Sequence, residues 1–373
     1  MLSNVVALVI VIFFRVNIHK VELEPLNTEI SDNCRKSVDV LNNFEYSTDG
    51  KYYLHGYEYN PFIYRFDDMY EGKIDGSECF YHTNEFSKPV IIIDRFDVFN
   101  IYEMFHSLLN TYIMTSFYDV NNFTILFVDD HPKTQLSSDM YGVFTNDIVY
   151  GSKDTCYKFN LGAYKTSGDF TSLLVTKHGV LRGRGSDHHC RSDLLRGFVN
   201  KVKTHFGVSY DDRIFKIHKN PKIIWSSRGE HKRGDNDHYL PSRMLIDEDS
   251  LIDELKKTFP GILKVDFGKI SAKESVKIVS SSDVMVGVHG AGLMWSAFLP
   301  RHGGLVEIFG GDRGPSNRHY HNVASLSDIH YRDITNQYLV ANAKQLRWLG
   351  NKKFSDELIE KINQVIKPEI EPQ

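Results

Sequence analysis

The most constraining feature of the sequence is a glycine-rich turn at residues 289–292 that directly follows an apolar run. The run from Asp283 to Val288 predicts a buried strand, and Leu293 to Leu299 predicts a helix after the turn. A strand, a glycine turn and a helix in this order leave backbone N–H groups at a helix N-terminus, an arrangement suited to phosphate. Gly290 and Gly292 would let the chain turn sharply and let a ligand approach the backbone. The alternative is an ordinary turn with His289 on the surface.

The wider pattern predicts an α/β protein, with parallel strands covered by helices on both faces. At 373 residues the chain is long enough for about two domains. We predict a lead-in region over 19–87, one domain over 88–207, a second over 208–345, and a C-terminal helix and tail over 346–373. The strands are predicted at 90–93, 123–128, 222–225, 263–267, 283–288 and 304–309, and the helices at 101–116, 192–206, 247–258, 271–280, 293–299 and 356–366.

Several weak signals favour the lumen of the endoplasmic reticulum or Golgi. Residues 1–18 contain a ten-residue apolar block, which fits a signal peptide or a short signal-anchor, with a buried strand as the alternative. The cysteines are Cys34, Cys79, Cys156 and Cys190, an even number that suggests disulfides in a secretory chain. Asn122-Phe123-Thr124 is an N-glycosylation sequon. The net charge of −4 gives no reason to expect a nucleic-acid partner, and a membrane is expected only through the N-terminal segment.

Side chains that follow the predicted strands of the second domain are candidates for ligand binding. Ser227 and Arg228 follow one strand, and a guanidinium there can bind a diphosphate bidentately. His289 follows another strand and could donate to a phosphate oxygen, while the N–H groups of Gly290, Ala291 and Gly292 would hold the phosphates. Glu307 could accept from ribose hydroxyls. The alternative for Arg228 is a surface arginine in a charged loop, and the alternative for Glu307 is an edge-strand carboxylate.

The first domain offers candidates for a general base. Asp94 follows a strand, and Glu103 and His106 share one face of the helix predicted next along the chain. A carboxylate or imidazole here could deprotonate an acceptor hydroxyl across the cleft between the domains; the alternative is a solvated helix face. Short acidic clusters occur at 129–131 and 235–237. Clusters of this kind are common in turns, so we predict no metal ligands there.

The sequence resembles glycosyltransferase family sixty-one over roughly residues 88–335. The segments that carry this resemblance are Ile278–Leu293, Phe298-Leu299-Pro300, Leu305–Phe309, Asp94–Asp97, Asn100-Ile101-Tyr102, Ser227-Arg228, His319-Tyr320 and His330-Tyr331.

The resemblance implies a GT-B fold, in which two Rossmann-like domains face a central cleft and the C-terminal one holds a nucleotide sugar. It implies inverting transfer of N-acetylglucosamine from UDP-N-acetylglucosamine to Ser or Thr hydroxyls of secreted or cell-surface proteins, with EGF-like domains as the expected acceptors. Xylosyl transfer, a glycan acceptor, or a non-catalytic nucleotide-sugar-binding descendant are the alternatives. No metal cofactor is expected, because a helix N-terminus and basic side chains would stabilise the leaving diphosphate. The resemblance also implies that Cys156 and Cys190 are bonded to each other.

The chain departs from the family where the general base is expected. Family members commonly follow the Asn-x-Tyr element with histidine and have an acidic residue four positions later. Here these positions hold Glu103 and Ser107, with His106 nearby. The identity of the base therefore stays open between Glu103 and His106.

Overall fold

A computed structural model describes most of the chain from residue 84 onward, together with short strands nearer the N-terminus. The described residues are 45–46, 52–54, 57–59, 63–66, 70–74, 84–117, 120–166, 175–176, 179–180, 192–208, 220–233, 236–301, 303–310, 314–335, 339–341 and 345–366. The predicted signal segment at 1–18 and the cysteines Cys34, Cys79 and Cys190 lie outside them. Within these ranges no helix has the length and apolarity needed to cross a membrane.

Short strands and a first α/β region occupy the N-terminal half. The elements there are β1 (Glu45–Tyr46), β2 (Tyr52–Leu54), β3 (Tyr57–Tyr59), β4 (Ile63–Phe66), β5 (Tyr70–Gly72), β6 (Asn84–Phe86), β7 (Val90–Ile93), α1 (Ile101–Phe117), β8 (Thr124–Phe127), α2 (Gln135–Tyr141), β9 (Ile148–Tyr150), β10 (Tyr157–Phe159), β11 (Ala163–Thr166), β12 (Val175–Thr176), β13 (Gly179–Val180) and α3 (Asp193–His205).

A second α/β region follows in the C-terminal half. Its elements are β14 (Ile223–Ser226), β15 (His231–Arg233), β16 (Asn236–Tyr239), β17 (Met244–Leu245), α4 (Glu248–Lys256), β18 (Ile262–Val265), α5 (Ala272–Ser280), β19 (Val284–Val288), a 3₁₀ helix (Ala291–Phe298), β20 (Gly304–Ile308), α6 (His319–Leu326), β21 (His330–Ile334), β22 (Val340–Ala341), β23 (Gln345–Arg347) and α7 (Lys352–Ile366).

Each region is built on a five-stranded sheet. The first has the order β4-β11-β7-β8-β9, in which only β4 is antiparallel to its neighbour. The second has the order β18-β14-β19-β20-β21 and is parallel throughout. Every residue of β7, β8, β14, β19 and β20 is buried, as expected for parallel strands covered on both faces. The predicted α/β class with parallel sheets is therefore confirmed.

One hydrophobic cluster contains side chains from both regions. It joins Phe105 of α1 and Phe198 of α3 to Phe298 of the 3₁₀ helix and Val323 of α6. The rings of Phe105 and Phe298 lie 6.2 Å apart, centre to centre. Helix α1, which carries the candidate bases, is therefore packed against the segment that follows the glycine turn.

The elements predicted in the second region agree closely with those in the structure, apart from one difference of helix type. Helix α6, strand β21 and the short strands β15, β16, β17, β22 and β23 were not predicted. Ser271 and Glu274 form the predicted capping box at the start of α5. The segment after the glycine turn begins at Ala291 rather than Leu293 and is a 3₁₀ helix. Its side chains from Leu293 to Phe298 are all buried, so tertiary packing rather than helix propensity fixes its conformation.

Candidate functional site

The candidate site lies where two neighbouring strands of the second sheet end. In the parallel pair β14 and β19, Ser226 aligns with Gly287. Arg228 and His289 each lie two residues beyond this aligned pair, so both emerge at the same edge of the sheet. The register of the two strands therefore brings Arg228 and His289 together, as the sequence predicted. Open parallel sheets bind ligands at this carboxyl edge.

Arg228 fills the space beside the glycine turn. A Cβ added at Gly290 would overlap the guanidinium of Arg228 at Nη1 and Cζ and would lie 3.1 Å from Nη2. A Cβ at Gly292 would lie 2.9 Å from Oγ of Ser226. The sequence predicted that these glycines make room for a ligand. In the structure their missing side chains make room for Ser226 of β14 and for Arg228 in the loop that follows it.

A second arginine reaches the same backbone carbonyl as Arg228. Nη1 of Arg228 lies 3.5 Å from the carbonyl oxygen of His289, and Nε of Arg243 donates to that oxygen at 3.1 Å. Nε of Arg228 is buried and has no hydrogen-bond partner among the described residues. Burial, followed by the positive charge of Arg243, lowers the pKa of Arg228 from its ordinary value. Two positive groups therefore converge at the mouth of the glycine turn.

His289 is held from behind by a buried carboxylate. Its Nδ1 contacts Oε1 of Glu307 on the adjacent strand β20, and the hydroxyl of Tyr331 donates to Oε2 of Glu307 at 2.7 Å. Glu307 is fully buried, and this burial raises its pKa to about 8, with the hydrogen bond from Tyr331 acting in the opposite direction. The predicted contact of Glu307 with a ribose does not exist in this arrangement, because both carboxylate oxygens face the protein interior. Glu307 instead orients the imidazole of His289.

Ser227 is also engaged within the protein. Its hydroxyl donates to Oε2 of Glu248 at 2.5 Å, and the indole N–H of Trp225 donates to Oε1 of the same carboxylate at 2.6 Å. The backbone N–H of Ser227 donates to the carbonyl of Val265 at 2.8 Å. These bonds fix the loop between β14 and Arg228, so in this structure Ser227 positions the arginine.

The candidate bases lie on α1, which is connected to His289 by two successive ring contacts. Tyr102 stacks on His319 with ring centres 5.0 Å apart and meets Tyr320 edge-on at 5.7 Å. The Tyr320 ring in turn lies 5.2 Å from the imidazole of His289. His106 is fully buried beneath Tyr102, with ring centres 4.9 Å apart, while Glu103 is partly exposed.

Asp94 and its neighbours are held in ion pairs. Asp94 pairs with Lys153 at 2.5 Å, and Asp97 pairs with Arg233 of the β15–β16 hairpin, which links the two regions. Arg95 is buried and binds both carboxylate oxygens of Asp129, with Nη2 at 2.7 Å from Oδ1. Among the residues described, no group of three or more His, Cys, Asp and Glu side chains could hold a metal ion.

Sequence comparison identifies the family. The profile of the family Glycosyltransferase 61 matches residues 104–306, which is more than half of the 373-residue chain. The chain belongs to this family. The match begins within α1, includes the glycine turn and ends within β20, so it contains most of the site described above.

Curated relatives of this glycosyltransferase 61 chain are distant. The mouse EGF domain-specific O-linked N-acetylglucosamine transferase is 22% identical over 257 residues, which cover 65% of this chain and 44% of the mouse protein. The chicken protein of the same name is 26% identical over 245 residues, which are 62% of this chain and 41% of the chicken protein. The chain therefore spans less than half the length of these relatives.

A plant relative is named for a different activity. The α-1,3-arabinosyltransferase XAT3 of Oryza sativa subsp. japonica is 34% identical over 98 residues, which cover 25% of this chain and 17% of the rice protein. Among solved structures, E. coli ADP-heptose LPS heptosyltransferase II matches 75% of this chain and 98% of its own, with a TM-score of 0.30 and 11% identity. Similarity at that level adds no argument about fold or function.

Two predicted modifications fall partly within the described residues of this family-61 chain. Cys156 is disulfide-bonded, but its partner lies outside the described residues, so the pairing with Cys190 remains a prediction. Asn122 is exposed and adopts a left-handed backbone conformation with φ of 52° just before β8. Its accessibility is compatible with the predicted glycosylation, which also remains a prediction.

Sequence reasoning missed Arg243 and gave no role to the tyrosines around His289. Arg243 lies in a loop before β17, without a motif, and reaches His289 only through the fold. Tyr320 and Tyr331 lie in segments that carry the family resemblance, but their contacts with His289 and Glu307 depend on how α6 and β21 pack on β20. A single sequence carries no signal for contacts of this kind.

Proposed function

We propose that this chain is an inverting glycosyltransferase whose nucleotide-sugar donor binds at the carboxyl edge of the second sheet. The observation that carries the proposal is the convergence of Arg228 and the turn at 289–292 beyond two adjacent parallel strands, with Nε of Arg228 buried and without a partner among the described residues. A buried cationic group beside a helix N-terminus favours an anionic ligand. A UDP-sugar would meet this requirement through its diphosphate.

In this proposal the leaving diphosphate is stabilised by the protein's own charges. Arg228 and the N–H groups of Gly290, Ala291 and Gly292 would bind the phosphate oxygens, with His289 adding a donor oriented by Glu307. Such fixed donors act on the charge that develops as the glycosidic bond breaks. We therefore expect no requirement for a divalent cation.

The general base is proposed to be Glu103. A base must reach the acceptor hydroxyl, and Glu103 is half-buried, with Oε2 buried, whereas His106 is fully buried behind Tyr102. Ring contacts from Tyr102 through Tyr320 to His289 keep α1 close to the donor side. His106 becomes the candidate only if Tyr102 moves on substrate binding.

The specific reaction we propose is transfer of N-acetylglucosamine from UDP-N-acetylglucosamine to Ser or Thr hydroxyls of EGF-like domains. The vertebrate relatives named for that activity match more than 60% of this chain, and they motivate the choice. The architecture that goes with this proposal is GT-B, with domains at 88–207 and 208–345. The proposed location of the protein is the lumen of the secretory pathway.

A pentosyl transfer is the second candidate. The rice arabinosyltransferase has a higher identity, 34%, although over a shorter segment of 98 residues. The replacement of the expected histidine by Glu103 also keeps a non-catalytic nucleotide-sugar-binding protein as an alternative. Donor preference and turnover separate the three.

The test is UDP release by the purified protein with UDP-N-acetylglucosamine, UDP-xylose, UDP-arabinose and UDP-glucose, each with and without a folded EGF-like domain and in the presence of chelator. Release that depends on UDP-N-acetylglucosamine and on the acceptor is the expected result. Release with a pentose donor alone would replace the sugar assignment. UDP binding without release for any donor would support the non-catalytic alternative, and no binding of any UDP compound would refute the donor site.

A further inference from the structure

Two arginine side chains meet at one backbone oxygen beside the glycine turn. Nε of Arg243 lies 3.1 Å from the carbonyl oxygen of His289, and Nη1 of Arg228 lies 3.5 Å from the same atom. They approach from different elements, since Arg228 follows β14 and Arg243 precedes β17. The fold therefore brings together two cations that are 15 positions apart in sequence.

Bringing two guanidinium groups together has an electrostatic cost that a bound anion would offset. Arg243 lowers the pKa of Arg228 more than the negative charge of Asp266 raises it. Burial adds to the cost, because Nε of Arg228 is removed from water and donates to no described atom. A carbonyl oxygen carries only a partial charge, so it orients the two groups without neutralising them.

We infer that Arg243 is a second donor-binding residue, and that Arg228 and Arg243 together bind the diphosphate of the nucleotide sugar on either side of the His289 carbonyl. This inference rests on the proposed donor site and adds a residue that the sequence analysis did not single out. A diphosphate has enough oxygens to accept hydrogen bonds from both guanidinium groups at once, whereas a monophosphate has fewer oxygens to offer. The paired cations therefore select nucleoside diphosphates over monophosphates.

The backbone at Arg243 has an unusual conformation, and the nearby Tyr320 carries no charge. The φ of Arg243, 62°, lies in the left-handed region, which side-chain-bearing residues rarely adopt. Burial raises the pKa of the Tyr320 hydroxyl well above its usual value, so this hydroxyl stays protonated. The positive charges of Arg228 and Arg243 lower the same pKa, but by less than burial raises it. Tyr320 therefore supplies a neutral aromatic wall rather than a counter-charge.

The experiment compares equilibrium binding of UDP, UMP and inorganic pyrophosphate by calorimetry, in chelator, for the wild-type protein and four variants. Arg243→Gln removes the second cation, Arg243→Lys keeps the charge but loses the fork, and Arg228→Gln removes the first. The matched control is Arg332→Gln, an exposed arginine on β21 that bonds Gln364. Thermal unfolding of each variant checks that it is folded.

We expect Arg243→Gln to weaken UDP and pyrophosphate binding about tenfold or more, as for loss of a charge-assisted hydrogen bond, and to weaken UMP binding less. Arg243→Lys should lie between this variant and the wild type, and should decide the question if Arg243→Gln is unfolded. Equal UDP affinity in folded Arg243→Gln and wild type, with loss in Arg228→Gln, overturns the inference and leaves the proposed donor site intact. Absence of UDP binding by the wild type overturns both.

Discussion

Replacing Gly290 with alanine isolates the contribution of the position of Arg228 to donor binding. Gly290 has φ of 168° and ψ of 168°, an extended conformation that alanine adopts without strain. The three atoms nearest to an added Cβ all belong to the guanidinium of Arg228. The substitution therefore acts on one side chain and leaves the backbone of the turn unchanged.

The size of the effect follows from the overlap. Restoring ordinary van der Waals separation from the new methyl group requires the guanidinium to move by about 2 Å. A hydrogen bond does not survive a displacement of that size. Loss of a charge-assisted bond to a phosphate costs about 1.5–3 kcal/mol, so UDP affinity should fall roughly 10- to 150-fold. Stability should change by less than the ~1–3 kcal/mol of an overpacked core, because the displaced group is the end of a flexible side chain.

A double-mutant cycle with calorimetric UDP titrations is the appropriate assay. If Gly290→Ala acts only through Arg228, it has no further effect in an Arg228→Ala background, where the methyl group meets no guanidinium. The two substitutions should therefore be strongly non-additive. Gly314→Ala is the control for a glycine-to-alanine change, since no atom lies within 4 Å of its added Cβ.

Two results would refute this reasoning. UDP affinity in Gly290→Ala that matches the wild type would mean that Arg228 does not bind the donor or that it has room to rearrange productively. Additive losses in the cycle would mean that the methyl group obstructs the ligand directly, as expected if the glycine serves ligand access rather than packing of the arginine.

Three further predictions concern stability. Glu307→Gln should remove a pH dependence of the unfolding free energy. Burial raises the pKa of Glu307 from 4.5 to about 8, so between these pH values the folded state retains a proton that the unfolded state loses. The unfolding free energy of the wild type should therefore fall as the pH rises through this range, by at most ~1.4 kcal/mol per pH unit. Denaturant titrations at several pH values check this, and equal slopes in wild type and variant would contradict it. Ser271→Ala should cost about 1 kcal/mol by removing the capping box of α5, measured as a lower denaturation midpoint with an unchanged m-value. Gly304→Ala should cost ~1–3 kcal/mol, because its Cβ would lie 2.5 Å from Cγ2 and 2.6 Å from Cβ of Val365. Val365→Ala in the same chain keeps that Cβ, so it should not recover the loss.

The sequence predicts β14, β19 and β20 of the second sheet well because these strands are fully buried. The edge strands β18 and β21 have exposed residues, and β21 was not predicted. Val284–Val288 and Gly304–Ile308 are continuous apolar runs apart from their glycines and Glu307, and such runs have few other places in a soluble fold. The capping box at Ser271 is a local signal that operates through four adjacent residues. Predictions that depend on local sequence are therefore close to the structure.

The contacts of the site depend on register and packing, and here the sequence is less informative. Glu307 was predicted to face a ribose, but its alignment with Gly287 in the parallel pair places it beside the strand that carries His289. Burial of that position and the hydroxyl of Tyr331 from the next strand turn the carboxylate into a support for the imidazole. Neither fact follows from residue spacing along a single strand.

His289 connects these separate contacts through both its backbone and its side chain. Its N–H donates to the carbonyl of Ile308 at 2.9 Å, its carbonyl accepts from Arg243, and its Nδ1 contacts Glu307. The residue therefore joins β19 to β20 and aligns the arginines, in addition to any contact with a phosphate. Because the backbone bonds survive substitution, His289→Ala would leave the arginine pair aligned while leaving the buried carboxyl group of Glu307 without its imidazole contact. A loss of activity in that variant is evidence for a phosphate contact only if His289→Ala/Glu307→Gln, which removes that carboxyl group, shows the same loss.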